Sequence, residues 1–379
     1  LVGNLLDEGT AKHSSSEIAE SIENVGGTLA MSSSGGRVHV LAPHRKLGLE
    51  LLFECLSQPT FPKDAFSRQK AQLLAEIEDA EKRPDAKARM VYRELLYGKH
   101  PLGRPALGFR KTVEKLTPAD CTAFHRQVFV PNNTTVAIVG DFNRDEVIEE
   151  IKRLTADWKK ADVPKPQSPA VEKPKEFAVK TMLFPRATQL AFYMGHPGIR
   201  RDNPDYYKLL VMDYVLGTGP GFTDRLSARL RDREGLAYTV EANITNSAGE
   251  QPGLFTCYVG TAPQNFDKVK GIFLEEIERL RATKPTQQEV EDAKNYLIYS
   301  LPLQLTTSSS VATQLLYVER YGLGLNFVDD YRRAVERVTP EDVREVASKY
   351  LDPKRMLLVA AGAIGPDGKP LDKLPAPKK

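Results

Sequence analysis

The stretch Val113-Glu-Lys-Leu-Thr-Pro-Ala-Asp120 returns 222 residues later as Val335-Glu-Arg-Val-Thr-Pro-Glu-Asp342. The match runs on without a gap, setting Pro131 against Pro353 and Gly140 against Gly362. In each copy Thr-Pro-x-Asp starts a helix of about ten residues, by the preferences of helix caps and first turns. A proline turn follows, at Val130-Pro-Asn-Asn133 and Asp352-Pro-Lys-Arg355. An apolar run then ends in glycine, Thr135 to Gly140 and Met356 to Gly362, and reads as a strand in both copies. The chain is therefore expected to hold two copies of one unit built from helices and strands.

Between the copies, Lys159 to Lys175 carries Pro164, Pro166, Pro169 and Pro174, which forbid regular structure. The expected organisation is a first domain over 1–158, a linker over 159–175, a second domain over 176–364 and a disordered Pro/Lys tail over 365–379. The second unit opens with strand-like Phe177 to Leu183 and Thr188 to Met194. By the repeat offset the first would open about 45 residues before Leu1. The expectation is thus an N-terminally cut chain, with any export signal upstream and the compartment, periplasm or cytoplasm, left open.

Within the first unit, Ser16 to Val25 reads as a helix with Ile18, Ile22 and Val25 as its apolar stripe. Strands are expected at Gly27 to Ser32 and Arg37 to Ala42, and helices at Lys46 to Ser57, Lys63 to Lys82 and Ala86 to Tyr97. The second unit repeats this with helices at Asp205 to Leu216, Phe266 to Ala282 and Gln287 to Tyr299, and strands near Leu236 to Thr245 and Gly253 to Val259. The fold class is α+β, each domain a mostly antiparallel sheet with helices on one face.

Composition narrows the function. A chain of 379 residues exceeds a single core, in line with two domains. The 53 basic and 50 acidic residues nearly balance, and no block of like charge points to nucleic acid or an anionic membrane. No apolar run is long enough to span a bilayer. Cys55, Cys121 and Cys257 are widely spaced and odd in number, so buried free thiols are expected rather than disulfides or a thiolate metal cluster.

The chemistry gathers in Gly217 to Val240, GTGPGFTDRLSARLRDREGLAYTV. Gly217, Gly219 and Gly221 form a turn around Pro220. A helix follows, capped by Thr223 or Asp224, with Leu226 and Leu230 on one face and Gly235 closing it. Leu236 to Val240 is then a strand. Arg231 and Tyr238 stand seven apart across this corner, a spacing that can bring a guanidinium and a phenol to one cavity wall. Such donors suit a carbonyl oxygen gaining negative charge during attack. The same spacing also fits a solvated helix arginine beside a half-buried strand tyrosine, the commoner case.

The run Arg231-Asp-Arg-Glu-Gly-Leu-Ala-Tyr238 resembles the second half of the pitrilysin/insulinase metallopeptidases. Gly9-Thr10, Glu17 to Gly27, Pro59-Thr60-Phe61, the long helix with Glu76 and the duplicated Thr-Pro-x-Asp unit occur in that family's order. The resemblance implies two domains of the metallopeptidase/LuxS-like type. It also implies a zinc motif, H-x-x-E-H, on the helix before Gly9-Thr10, with a later glutamate as third ligand. That alignment puts the glutamate at Gly3, the second histidine at Asn4 and the first before Leu1, so the motif is lost, and none of the six histidines rebuilds it elsewhere. Glu76 falls where the third ligand would.

The resulting expectation is a chain with no metal of its own: the non-zinc subunit of a heterodimeric zinc peptidase. Its partner would carry H-x-x-E-H and the zinc. This chain would add chamber walls, Arg231 and Tyr238 as a substrate clamp, and the glycines Gly217, Gly219 and Gly221 as contacts to an extended peptide. Two rival expectations are a purely structural subunit and a peptide-binding module presenting a sheet edge near Gly27 to Ala42.

Overall fold

A computed structural model of the chain describes residues 1–164 and 168–371. In order, its main elements are α1 (Ser15–Glu23), β1 (Thr28–Ser32), β2 (Gly35–His39), α2 (Arg45–Ser57), α3 (Lys63–Lys82), α4 (Pro84–Tyr97), α5 (Arg110–Val113), α6 (Pro118–Val128) and α7 (Arg144–Thr155). The second half continues with β3 (Ala178–Leu183), β4 (Leu190–Pro197), α8 (Tyr206–Leu216), α9 (Arg225–Ser227), β5 (Ala237–Asn243) and β6 (Leu254–Thr261). It ends with α10 (Phe266–Ala282), α11 (Gln287–Gln304), α12 (Ser308–Arg320), α13 (Phe327–Glu336), α14 (Pro340–Tyr350) and β7 (Leu357–Gly362). Residues 165–167 of the expected linker and 372–379 of the expected tail lie outside the described residues.

The repeat is visible as two equal capping boxes. Thr117 accepts from the Asp120 amide and Asp120 from the Thr117 amide at the start of α6, and Thr339 and Asp342 do the same for α14. Downstream the copies part. Met356 to Gly362 yields β7, as the sequence predicts, whereas Thr135 to Gly140 forms no strand, because among the described residues no neighbour pairs with it.

The chain forms two compact units that are interleaved in sequence. The first comprises Leu1–Asp79, Leu107–Gln167 and Thr306–Leu316; the second comprises Ala80–Ala106, Ser168–Leu305 and Tyr317–Lys379. The repeat points instead to contiguous halves. Part of the difference comes from α4, which sits on the sheet of the second unit through Ala88, Tyr92 and Leu96.

That sheet has five strands in the order β3-β7-β4-β6-β5, antiparallel except for the β3–β7 pair. Both faces of its centre are apolar. Leu190, Phe192 and Met194 of β4 face α8, α10 and α14, while Ala191 of β4 and Val359 and Ala361 of β7 face α4. Helices therefore cover both faces, not the one face expected, because β4 carries apolar side chains on both sides, Leu190, Phe192 and Met194 on one and Ala191 and Tyr193 on the other. Among the described residues the first unit's one sheet is the hairpin β1–β2, packed on α1 and α2 through Ile18, Ile22, Leu51 and Cys55. Cys55, Cys121 and Cys257 are all free and buried.

One buried group makes the fold pH-sensitive. His196 of β4 has no exposed surface; it accepts from the Asp352 amide at 3.2 Å and hydrogen-bonds the Pro197 carbonyl at 2.8 Å. Burial, reinforced by Lys173, pushes its pKa down to about 4. A depressed imidazole contributes stability that is present above its unfolded pKa, about 6.5, and lost as pH falls through the folded value. Between pH 7 and 4.5 the wild type should therefore lose about 2–3 kcal/mol more than His196→Gln, read from urea midpoints. Equal losses in the two proteins would refute the assignment.

Candidate functional site

The corner around Arg231 is built from a cap, a widened helix and a bulged edge strand. Asp224 caps α9 by accepting from the Ser227 amide at 2.8 Å, which settles the cap on aspartate rather than Thr223. The helix does not stay α. Ala228–Arg233 forms a π-helical turn, with the Glu234 amide reaching back to the Arg229 carbonyl and Leu236 to Leu230. Leu226 and Leu230 are fully buried, so the apolar face predicted from sequence anchors this segment in the core. Gly235 at φ 61° then turns the chain into β5.

In β5 the register shifts between Ala237 and Val240, where an extra residue bulges the strand. Tyr238 sits on this bulge and is 76% exposed. The Arg231 guanidinium lies over its ring, 5.1 Å from the centroid. The structure thus brings together the two residues singled out by spacing. Arg225 and Arg229 are framework instead: Arg225 makes two bonds to Glu289, at 2.6 and 3.0 Å, and Arg229 binds Glu275 and Glu276. Burial raises the Glu289 carboxyl, but Arg225 and the Thr286 amide overcome it and hold its pKa at about 2.

The glycine turn has structural reasons of its own. A Cβ on Gly217 would come within 2.6 Å of the Ala242 amide nitrogen, and one on Gly219 within 2.9 Å of the Asp224 nitrogen. Gly221 is different, with φ 62° and open space around it. Sequence reading missed Asp213, which ties α8 to the end of β5. Its buried carboxylate accepts from the Ile244 and Thr245 amides at 3.0 and 2.9 Å and from the Thr245 hydroxyl at 2.5 Å. Burial, opposed by these bonds, pushes its pKa up to about 7. An aspartate inside a helix with apolar neighbours is the signal that would have found it.

The positions where zinc would be held do not fit a metal. Gly3 lies in a short helical turn, and a Cβ there would stand 2.2 Å from the Ser33 nitrogen. Asn4 is exposed, and Glu76 is an exposed helix residue accepting from Gln72 at 3.0 Å. Among the described residues no group of three His, Cys, Asp or Glu side chains is placed to hold an ion. Restoring only the glutamate, as Gly3→Glu, should therefore leave a chain less stable by about 3 kcal/mol from overpacking against Ser33, read from denaturant midpoints. An unchanged midpoint in that variant would contradict this.

The first unit also holds a cavity of about 960 Å³ lined by His13, Glu54, His125 and Trp158, among others. Of its polar lining, His13 is engaged with Glu54 at 2.9 Å and His125 with the Leu56 carbonyl at 2.8 Å. Arg231 and Tyr238 line no part of it. Among the described residues no helix is long and apolar enough to cross a membrane.

Comparison with known proteins agrees with this arrangement. Residues 1–109 match the family model described as insulinase (peptidase family M16), and residues 115–297 the model described as the peptidase M16 inactive domain. A non-peptidase homolog, YmxG, of Helicobacter pylori is 27% identical over 93% of this chain and 81% of its own length. An uncharacterized zinc protease of Streptomyces coelicolor is 27% identical over 96% and 79%. The crystal structure of a peptidase M16 inactive domain from Pseudomonas fluorescens superposes with a TM-score of 0.87 at 28% identity, covering 96% of this chain and 87% of that one. A chain of complex III2 from Candida albicans, at 18% identity and a TM-score of 0.73 over 95% and 85% of the two chains, shares the fold alone. With two family models matched in succession and the same architecture throughout, the chain belongs to the insulinase (M16) peptidase family and lacks that family's metal-binding motif.

Proposed function

We propose that this chain is the non-zinc subunit of a heterodimeric zinc peptidase, supplying chamber wall and a substrate clamp to a homologous partner that carries H-x-x-E-H. The observation that carries the reading is the Arg231 guanidinium stacked at 5.1 Å over the exposed ring of Tyr238. Both side chains carry hydrogen-bond donors, and in this reading a peptide carbonyl would meet the two from one wall. Such donors act when the carbonyl oxygen gains charge, so they favour the transition state over the bound peptide. The metal and the general base would come from the partner. Gly217, Gly219 and Gly221, next to this wall in sequence, keep side chains out of the path of an extended peptide.

Co-purification with partners followed by a peptide-cleavage assay tests the reading. The chain alone should bind no stoichiometric zinc and cleave nothing; the assembled complex should cleave, with loss of activity on chelation. Cleavage by the lone chain, or none by the complex, would overturn it, the second result leaving a structural subunit.

A further inference from the structure

The cavity of the first unit is lined by that unit's residues alone, and its charges do not balance. Five lysines and arginines meet three carboxylates around it. Two of the carboxylates are engaged: Glu50 accepts from Arg153 at 2.8 Å, and buried Glu54 binds His13 and Thr10. Lys12, Arg126, Lys159 and Lys160 are left with no ion pair among the described residues, against a single unpaired carboxylate, Asp157.

The floor is apolar. Phe53 and Phe129 are buried, and Trp158 meets Phe53 edge-on at 6.3 Å while its indole N–H donates to the Phe129 carbonyl at 3.0 Å. The four unpaired cations are exposed, so charge stands at the mouth and aromatic surface in the depth. The wall that carries Lys159 and Lys160 is fixed. Asn132 donates to the Ala161 carbonyl at 2.8 Å and accepts from the Ala161 amide at 3.2 Å, which pins the start of the expected linker to this unit. The volume of about 960 Å³ is of the size that takes small organic molecules.

We propose that this cavity binds a small organic anion, a carboxylate or phosphate carried on an apolar body. A neutral apolar molecule would leave the cations at the mouth unanswered, and a bare inorganic anion would leave the aromatic floor facing water. A cationic ligand would meet the excess of positive charge. The site needs no partner subunit, so its test stands apart from that of the Arg231 and Tyr238 clamp.

Trp158 is the only tryptophan of the chain, and its fluorescence therefore reports on the floor directly. Titrated with octanoate, residues 1–379 should give a saturable change with a Kd of about 0.1–1 mM, the range for a ligand of about ten non-hydrogen atoms. Octan-1-ol, with the same chain and no charge, should bind more weakly by about tenfold or more. Raising salt from about 0.05 to 0.5 M should weaken octanoate and spare octan-1-ol. In the double variant Arg126→Ala with Lys160→Ala, octanoate should bind about tenfold more weakly and octan-1-ol as in the wild type, the second result showing the cavity intact. Equal affinities for octanoate and octan-1-ol, inorganic phosphate competing as well as octanoate, wild-type octanoate binding in the double variant, or no response of Trp158 up to about 10 mM octanoate would each overturn the proposal.

Discussion

Replacing Arg231 by alanine, or Tyr238 by phenylalanine, in the complex with a zinc-bearing partner is expected to lower turnover by about ten- to a thousandfold, the scale of losing one oxyanion donor. The two changes probe different atoms. Tyr238→Phe keeps the ring beneath the guanidinium and removes only the hydroxyl, so a loss there reports the donor itself. Arg231→Ala removes a donor and the ring's partner together and should cost at least as much. Because Tyr238 is 76% exposed, its hydroxyl contributes little to stability, and Tm should stay unchanged. The loss should appear in kcat rather than KM, since the donors act on charge that develops during reaction. Arg225→Ala is the control. It breaks the partly buried pair with Glu289 and should lower stability through the orphaned carboxylate. Wild-type turnover in both Arg231→Ala and Tyr238→Phe would leave the pair a surface cation–π contact and nothing more.

Much of this corner was legible because local rules decide it. Leu226 and Leu230 at i and i+4 announce a buried face, Gly235 announces a left-handed turn, and Thr-Pro-x-Asp announces a capped helix; each needs only neighbours within a few residues. The widened turn at Ala228–Arg233 was not legible. A π turn differs from an α turn by one residue in its hydrogen bonding, and side-chain pattern does not register that. Strand identity at Thr135 to Gly140 failed for the opposite reason. Its sequence is as strand-like as that of β7, but strands are made by partners, and the pairing that defines β7 comes from β3 and β4. Placement of α4 was equally invisible, since nothing within Pro84–Tyr97 says which sheet its Tyr92 will meet. The loss of the zinc motif, by contrast, was plain from two letters, Gly3 and Asn4, and the structure adds why the first resists repair: the Ser32–Ser33 backbone occupies the space a side chain would need.

Gly195→Ala is expected to abolish folding of the second unit, a larger effect than any surface change. Glycine weakens a strand interior by its entropy and its missing packing, so one at the centre of β4 points to a close approach. The approach is real: a Cβ at this position would stand 1.8 Å from the Phe255 carbonyl oxygen and 2.5 Å from the Tyr92 hydroxyl. That hydroxyl donates to the same carbonyl at 2.9 Å, so α4 is bonded to β6 over a spot on β4 kept bare for it. A methyl group cannot enter without displacing sheet backbone on a strand whose two neighbours are both paired. The cost should exceed about 4 kcal/mol, a large part of the 5–15 kcal/mol that holds a typical protein folded, and soluble yield should collapse. Tyr92→Phe alone removes one buried hydrogen bond and should cost only about 1–2 kcal/mol by denaturant titration. The double variant separates the two contacts. Removing the hydroxyl relieves the 2.5 Å approach and leaves the 1.8 Å one, so Tyr92→Phe should rescue Gly195→Ala little. Full rescue would mean that the tyrosine, rather than the β6 backbone, is what demands glycine at this position.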